Sequence, residues 1–153
     1  MKRTHYLANR LQEVLLNGKW IANTNLKEQI ENLHWETAIK KAGNLNSIAL
    51  LVFHLNYYLK GIHHFFETGK LEISDRFSFD MPEIKSEEDW KKLVSEILVN
   101  AERLVGLIRE MDDEQLGDVF ADEKYGSYER NIDGLIEHCY YHLGQVVILS
   151  KLN

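Results

Sequence analysis

Apolar residues recur along most of this chain at intervals of three and four, the mark of amphipathic helices. The first run, residues 4–17, sets Leu7, Leu11, Val14 and Leu15 on one face, and Gly18 follows as a stop. A shorter segment, 25–33, has Asn25 placed as an N-cap, Glu28 three residues on, and Leu26, Ile30 and Leu33 inward. Residues 35–43 carry a weaker pattern, enough for one more turn. Residues 47–67 hold Ile48, Leu51, Val52, Leu55, Leu59, Ile62 and Phe66, a stripe sustained over about five turns. Asn46 or Ser47 can cap its start, and Gly69 lies just past its end. The clearest run is 87–111, with Trp90, Leu93, Val94, Ile97, Leu98, Ala101, Leu104, Val105 and Ile108 behind a capping-box pattern from Ser86 to Asp89. The last, 131–151, presents Ile132, Leu135, Ile136, Cys139, Leu143, Val146 and Val147.

Each of the four long stripes must be buried, and four can close on one shared core. The pattern therefore predicts an all-α four-helix bundle, one domain spanning residues 1–153. The connection from Thr68 to Lys85 is long enough to cross the bundle end to end, so an up-down-up-down order is not forced. Its Phe77, Phe79 and Met81 predict that it packs against the helices. The loop from Leu116 to Arg130 is acidic at first and then reads Tyr125-Gly126-Ser127-Tyr128.

Composition narrows the function classes. A chain of 153 residues, 44% hydrophobic and 27% charged, can bury roughly 70% of its unfolded surface without disulfide or metal staples. A single proline leaves long helices uninterrupted. Acids outnumber bases 24 to 18, a net charge of -6, and no basic stripe stands out; nucleic acid is a poor fit as partner. Cys139 is alone, so an intrachain disulfide or a four-cysteine zinc site is excluded. Met1 to Leu15 is basic at Lys2 and Arg3 but lacks a continuous apolar core. The longest apolar run, Ile48 to Phe53, stops at His54, far below the ~18 residues of a membrane helix. The expectation is a cytoplasmic protein.

The sharpest chemical feature is His138-Cys139-Tyr140-Tyr141-His142. Residues four apart stand above one another on a helix, so two imidazoles can each offer a nitrogen to one metal. Such a pair arises roughly 0.3 times by chance in a chain of this histidine content, and two partly exposed histidines flanking the core would read the same. The helical wheel places His138 and His142 beside Leu135 and Val146, at the border of the core stripe. His54 borders its own stripe near Leu51 and Tyr58. A lone histidine there is more often a satisfied core residue, but a facing pair makes three nitrogens on two helices. That is a site with open coordination positions, of catalytic rather than structural type.

His63 and His64 point away from His54 around the helix, His5 lies near the terminus and His34 in a connection; none is assigned a role. Cys139 with His142 could form a nucleophilic pair, yet it sits on the apolar stripe, where a buried inert thiol is the simpler reading. Glu137, Tyr141 and Gln145 neighbour the histidines and can support them from behind, or can pack or face solvent. Glu110, Asp112, Asp113 and Glu114 read as a solvated helix end. The sequence has no glycine-rich phosphate loop, GxSxG elbow, HExxH or EF-hand loop.

Two blocks, Asn46-Ser47-Ile48-Ala49-Leu50-Leu51-Val52-Phe53-His54-Leu55 and Gly134-Leu135-Ile136-Glu137-His138-Cys139-Tyr140-Tyr141-His142-Leu143-Gly144-Gln145, give the chain a likeness to a known group. It resembles the DinB-like superfamily of small metal-binding helical bundles, which has one histidine early in the second long helix and an HxxxH in the last. The resemblance implies an up-down-down-up bundle with a long crossover between the second and third long helices. It implies a divalent metal, zinc or nickel, on His54, His138 and His142, and a homodimer. Relatives include bacillithiol- and mycothiol-dependent S-transferases and proteins called metal-dependent hydrolases.

Two expectations follow. One is a metalloenzyme whose metal activates a low-molecular-weight thiol or a water, for S-transfer to a small-molecule electrophile or for hydrolysis. Its substrate pocket would lie between helix ends and the loops at 68–85 and 116–130. The other is a non-catalytic helical protein, acting as a metal-binding module or by association as a dimer.

Overall fold

A computed structural model describes residues 1–152. Six α-helices run in the order α1 (Arg3–Gln12), α2 (Leu26–Ile30), α3 (Trp35–Ile39), α4 (Ile48–Thr68), α5 (Glu87–Glu110) and α6 (Tyr128–Leu152). No strand occurs among the described residues; one isolated β-bridge joins Val119 to Ser127. Among the described residues no helix is long and apolar enough to cross a membrane.

The long helices begin and end where capping chemistry places them. The Ser47 hydroxyl accepts from the Leu50 amide and starts α4, leaving Asn46 outside it. Gly69, with φ +72, closes α4 in the left-handed region, its amide donating to the Phe65 carbonyl. Ser86 accepts from the Asp89 amide at the head of α5, and Asn25 from Glu28 at the head of α2. The short segments expected over 25–33 and 35–43 are helical only over Leu26–Ile30 and Trp35–Ile39, and two boundaries of the longer runs also depart from the periodicity. The α-helical part of the first run ends at Gln12, and its last turn, Glu13–Asn17, is a π-turn. α6 starts three residues earlier than its apolar stripe, at Tyr128, because the Ser127 carbonyl and hydroxyl already accept from the Asn131 and Arg130 amides.

Helix directions follow from which residues meet. Arg3 reaches Asp113 just past α5, while Asn9 and Gln12 accept from Arg109, so α1 and α5 are antiparallel. Arg3 meets Glu129 and Arg10 meets Asp133, so α1 and α6 are parallel. Phe53 shares a hollow with Leu93, Asn100 donates to Asn56, and Glu67 shares a hollow with Leu107; α4 and α5 are therefore parallel. His54 meets His142 and Phe65 meets Tyr128, which makes α4 and α6 antiparallel. The order is up-down-down-up, and the segment between α4 and α5 must return along the whole bundle.

That segment is a strap laid on α4. Ile73 seats on Gly61, Ser74 exchanges hydrogen bonds with the Tyr57 hydroxyl, Asp75 accepts from Tyr58, and Ser78 and Phe79 meet His54. Gly61 is needed for this: a Cβ there would lie 2.0 Å from Ile73 Cγ2. Of the aromatic residues predicted to pack, both remain partly exposed, Phe79 with its ring stacked on His54 and Phe77 beside Arg76.

One core joins all six helices, with Leu7, Leu11, Leu15, Ile30, Leu55, Leu59, Trp90, Ile97, Leu104, Ile136 and Val146 among its buried residues. Trp90 is the largest, and its indole N–H donates to the Leu33 carbonyl at 2.8 Å, tying the α2–α3 region to α5. Phe66, predicted inward, is only half-buried; Phe65 takes the deeper position against Phe120. Asp113 is not merely a solvated helix end. Its two carboxylate oxygens accept the amides of Arg3 and Thr4 at 2.9 Å each, closing the open start of α1 from the end of α5.

Candidate functional site

α4 and α6 pass each other antiparallel, and their polar border positions meet a third of the way along α4. His54 and His142 are each 5% exposed, and His138 is half-buried. The ring centroids lie 4.5–5.1 Å apart. One nitrogen from each ring can be chosen so that all three lie within 4.8 Å of one another. The three residues singled out from the sequence are thus brought together. They form the one cluster of three or more potential ligand residues so placed among the described residues.

The hydrogen bonds fix the lone pairs of two rings. His54 Nδ1 lies 3.2 Å from the Ser78 carbonyl, which can only accept, so Nδ1 carries the proton and Nε2 the lone pair. His142 Nδ1 donates to Gln145 Oε1 at 2.6 Å, which frees its Nε2 in the same way. His54 Nε2 faces His138 Nε2 at 3.1 Å. Two routes close that approach: a proton on His138, or a cation shared by both nitrogens. Ligands ~2.0–2.1 Å from a tetrahedral zinc ion lie ~3.4 Å from each other, so this pair is already near the spacing that a shared ion requires.

All three imidazoles are held neutral. Burial lowers the pKa of each; the neighbouring His142 adds to the shift at His54, and His142 and His54 add to it at His138, which falls to about 4. A neutral imidazole is the ligating form, so the cluster is in its ligating state near neutral pH. The donor set, three neutral nitrogens with two second nitrogens anchored on oxygen acceptors, fits a divalent metal of the first transition row.

The surroundings were only partly foreseen. Gln145 supports His142, as its position allowed. Tyr141 is 65% exposed, with its ring edge on His142, and Glu137 is exposed. Two neighbours in space had no sequence signal as site residues: Ser78, whose backbone carbonyl orients His54, and Phe79, stacked on His54 at 4.0 Å; Tyr58, placed beside His54 by the helical wheel, lies edge-on to His54 and His138. The Tyr58 hydroxyl donates to Asp75, and burial together with that carboxylate pushes its pKa up to about 12. Cys139 faces the core instead; burial pushes its thiol up to about 12, so it is not a thiolate at neutral pH. His63 and His64 lie apart from the cluster beside Glu67 and Glu72.

A cleft of about 370 Å³ opens against His138, lined by Tyr58, Ile62, Tyr125, Arg130, Leu135 and the bare backbone of Gly134, with Asn131 beside them. The loop before α6 supplies Tyr125. The strap does not line the cleft, but through Asp75 it fixes the Tyr58 wall. In comparisons with models of protein families, with curated proteins and with solved structures, the chain matches none.

Proposed function

We propose that this protein is a metal-dependent enzyme of the DinB-like type. His54, His138 and His142 hold one divalent cation, zinc or nickel, and the cleft beside His138 admits the substrate. The observation that carries this reading is the convergence of three neutral imidazoles from two helices, two of them oriented through their second nitrogens. A pure packing role gives no reason to gather three desolvated histidines that repel one another once protonated. When bound, the metal would supply Lewis acidity, lowering the pKa of a thiol or water placed on it. The chain's own residues do the rest. Ser78 and Gln145 hold the lone pairs of His54 and His142 toward the common point, and Phe79 and Tyr58 shield the histidines from bulk water. No cysteine of the chain is available as the nucleophile, since Cys139 is buried in the core. The preference for a thiol brought by the substrates rests on the resemblance to the DinB-like proteins. On that resemblance the reaction is transfer of a low-molecular-weight thiol to an electrophile, and hydrolysis by water is the related alternative.

The test is metal analysis of untagged protein purified without chelator, beside His54→Ala and His142→Ala. Near one equivalent of zinc or nickel in the wild type and little in either variant is the expected result. Equal metal content in all three would sink the proposal. Turnover of a thiol with a model electrophile, abolished by the same two substitutions, then separates an enzyme from a metal-binding module.

A further inference from the structure

The cleft beside His138 carries one charged side chain, Arg130. Arg130 is exposed and, like Arg76 and Arg103, makes no ion pair or side-chain hydrogen bond among the described residues, whereas Arg3, Arg10 and Arg109 are engaged by carboxylates or side-chain amides; of the three unpaired arginines it is the one that lines the cleft with His138. The other polar groups of the lining are mostly spoken for. The Asn131 amide donates to the Tyr125 and Ser127 carbonyls, and the Tyr58 hydroxyl donates to Asp75. The Tyr125 hydroxyl has no partner among the described residues, and Lys124 lies 4.9 Å over the Tyr125 ring. Ile62, Leu135, the tyrosine rings and the bare backbone of Gly134 make the rest of the cleft apolar and open. The cleft thus has His138 at one position and a free guanidinium at another, joined by an apolar floor.

We infer that the substrate of the three-histidine site is a small, partly apolar molecule bearing a carboxylate, which Arg130 binds while the reacting end lies at His138. This rests on the metal-dependent reading above and goes beyond it by assigning the substrate's charge and its anchor. A guanidinium presents a planar fork that matches a carboxylate through two parallel hydrogen bonds. A phosphate fits less well: it carries up to two charges and wants several donors, and the lining offers one cation with one free hydroxyl. The apolar floor suits an aliphatic or aromatic body between the two ends. Gly134 matters to the space available, because a Cβ there would meet no protein atom and would project into open space.

The probe is phenylacetate, with phenylacetamide as its neutral isostere, titrated into metal-free and zinc-loaded protein while backbone amides are followed by NMR. The expected result is that phenylacetate shifts the amides of residues 125–138 in both forms and phenylacetamide binds about tenfold or more weakly. Arg130→Gln should remove that preference, Arg130→Lys should keep part of it, and Gly134→Leu should block both probes with the thermal midpoint unchanged or raised. Binding of phenylacetate unaltered in Arg130→Gln, equal binding of the amide, or no shift by either probe in either form overturns the inference. Binding confined to zinc-loaded protein and surviving Arg130→Gln means that the metal alone holds the carboxylate; the anchor then fails while the metal site stands. Failure to take up zinc, with Arg130-dependent binding intact, sinks the metal reading instead.

Discussion

At the scale of single residues, the histidine cluster is defined by what holds its second nitrogens. Gln145 fixes the tautomer of His142 across one turn of α6. Gln145→Leu is expected to weaken zinc affinity about 10–100-fold, read by competition with a chelator, because the ring loses the acceptor that aims its lone pair. The depressed pKa values carry a pH dependence. In metal-free protein the folded state resists protonation of His138 down to about pH 4, whereas the unfolded chain takes up that proton near pH 6.5. Between these values the unfolded state binds more protons. Stability is therefore full above about pH 6.5 and declines as pH falls toward 4; His54 and His142 shift in the same direction. Urea midpoints measured from pH 7.5 to 4 should fall, and the slope should be shallower in His138→Gln. The three histidines were legible as candidates because helical spacing sets each at the border of an apolar stripe, while the resemblance to the DinB-like pattern joined them into one set. Ser78 and Phe79 were not, since a carbonyl and a ring on an aperiodic segment reveal their target only once the chain has folded back.

At the scale of elements, the strap between α4 and α5 sets the geometry of the site by resting on Gly61. Gly61→Ala drives a methyl into Ile73. The expected cost is about 1–3 kcal/mol by chemical denaturation, together with weaker zinc binding, because Ser78 rides on the same strap. In an Ile73→Ala background the substitution at Gly61 should cost little, and a full penalty persisting there would show that the contact is not its cause. The long helices were readable because a 3.6-residue period and capping residues are local properties. The π-turn at Glu13–Asn17 and the early start of α6 were missed because they depend on a few local hydrogen bonds that the spacing of apolar residues does not reveal. Asp113 was misread for a related reason: its partners, the amides of Arg3 and Thr4, are 110 and 109 residues away in sequence.

At the scale of the whole molecule, α4 and α6 are joined across one face of the bundle by the histidines, so a bound cation would pin two helices that the core already packs. Zinc at about a hundredfold excess over its dissociation constant adds about 2.7 kcal/mol, which for a chain of this size is a rise of about 5–10 °C in thermal midpoint. Differential scanning calorimetry with and without zinc tests this, and His142→Ala should abolish the increment. The all-helical bundle follows from four stripes of apolar residues, whereas its up-down-down-up order is written in long-range pairs such as Arg10 with Asp133. The separation of His54 from His138, 84 positions along the chain, has a consequence for biosynthesis. At ribosomal speeds of 5–20 residues per second, roughly 4–17 s pass between the two. Throughout that interval the nascent polypeptide lacks two of the three imidazoles of the cluster, so an ion held by all three would have to await the translation and docking of α6 and could not template the earlier helices.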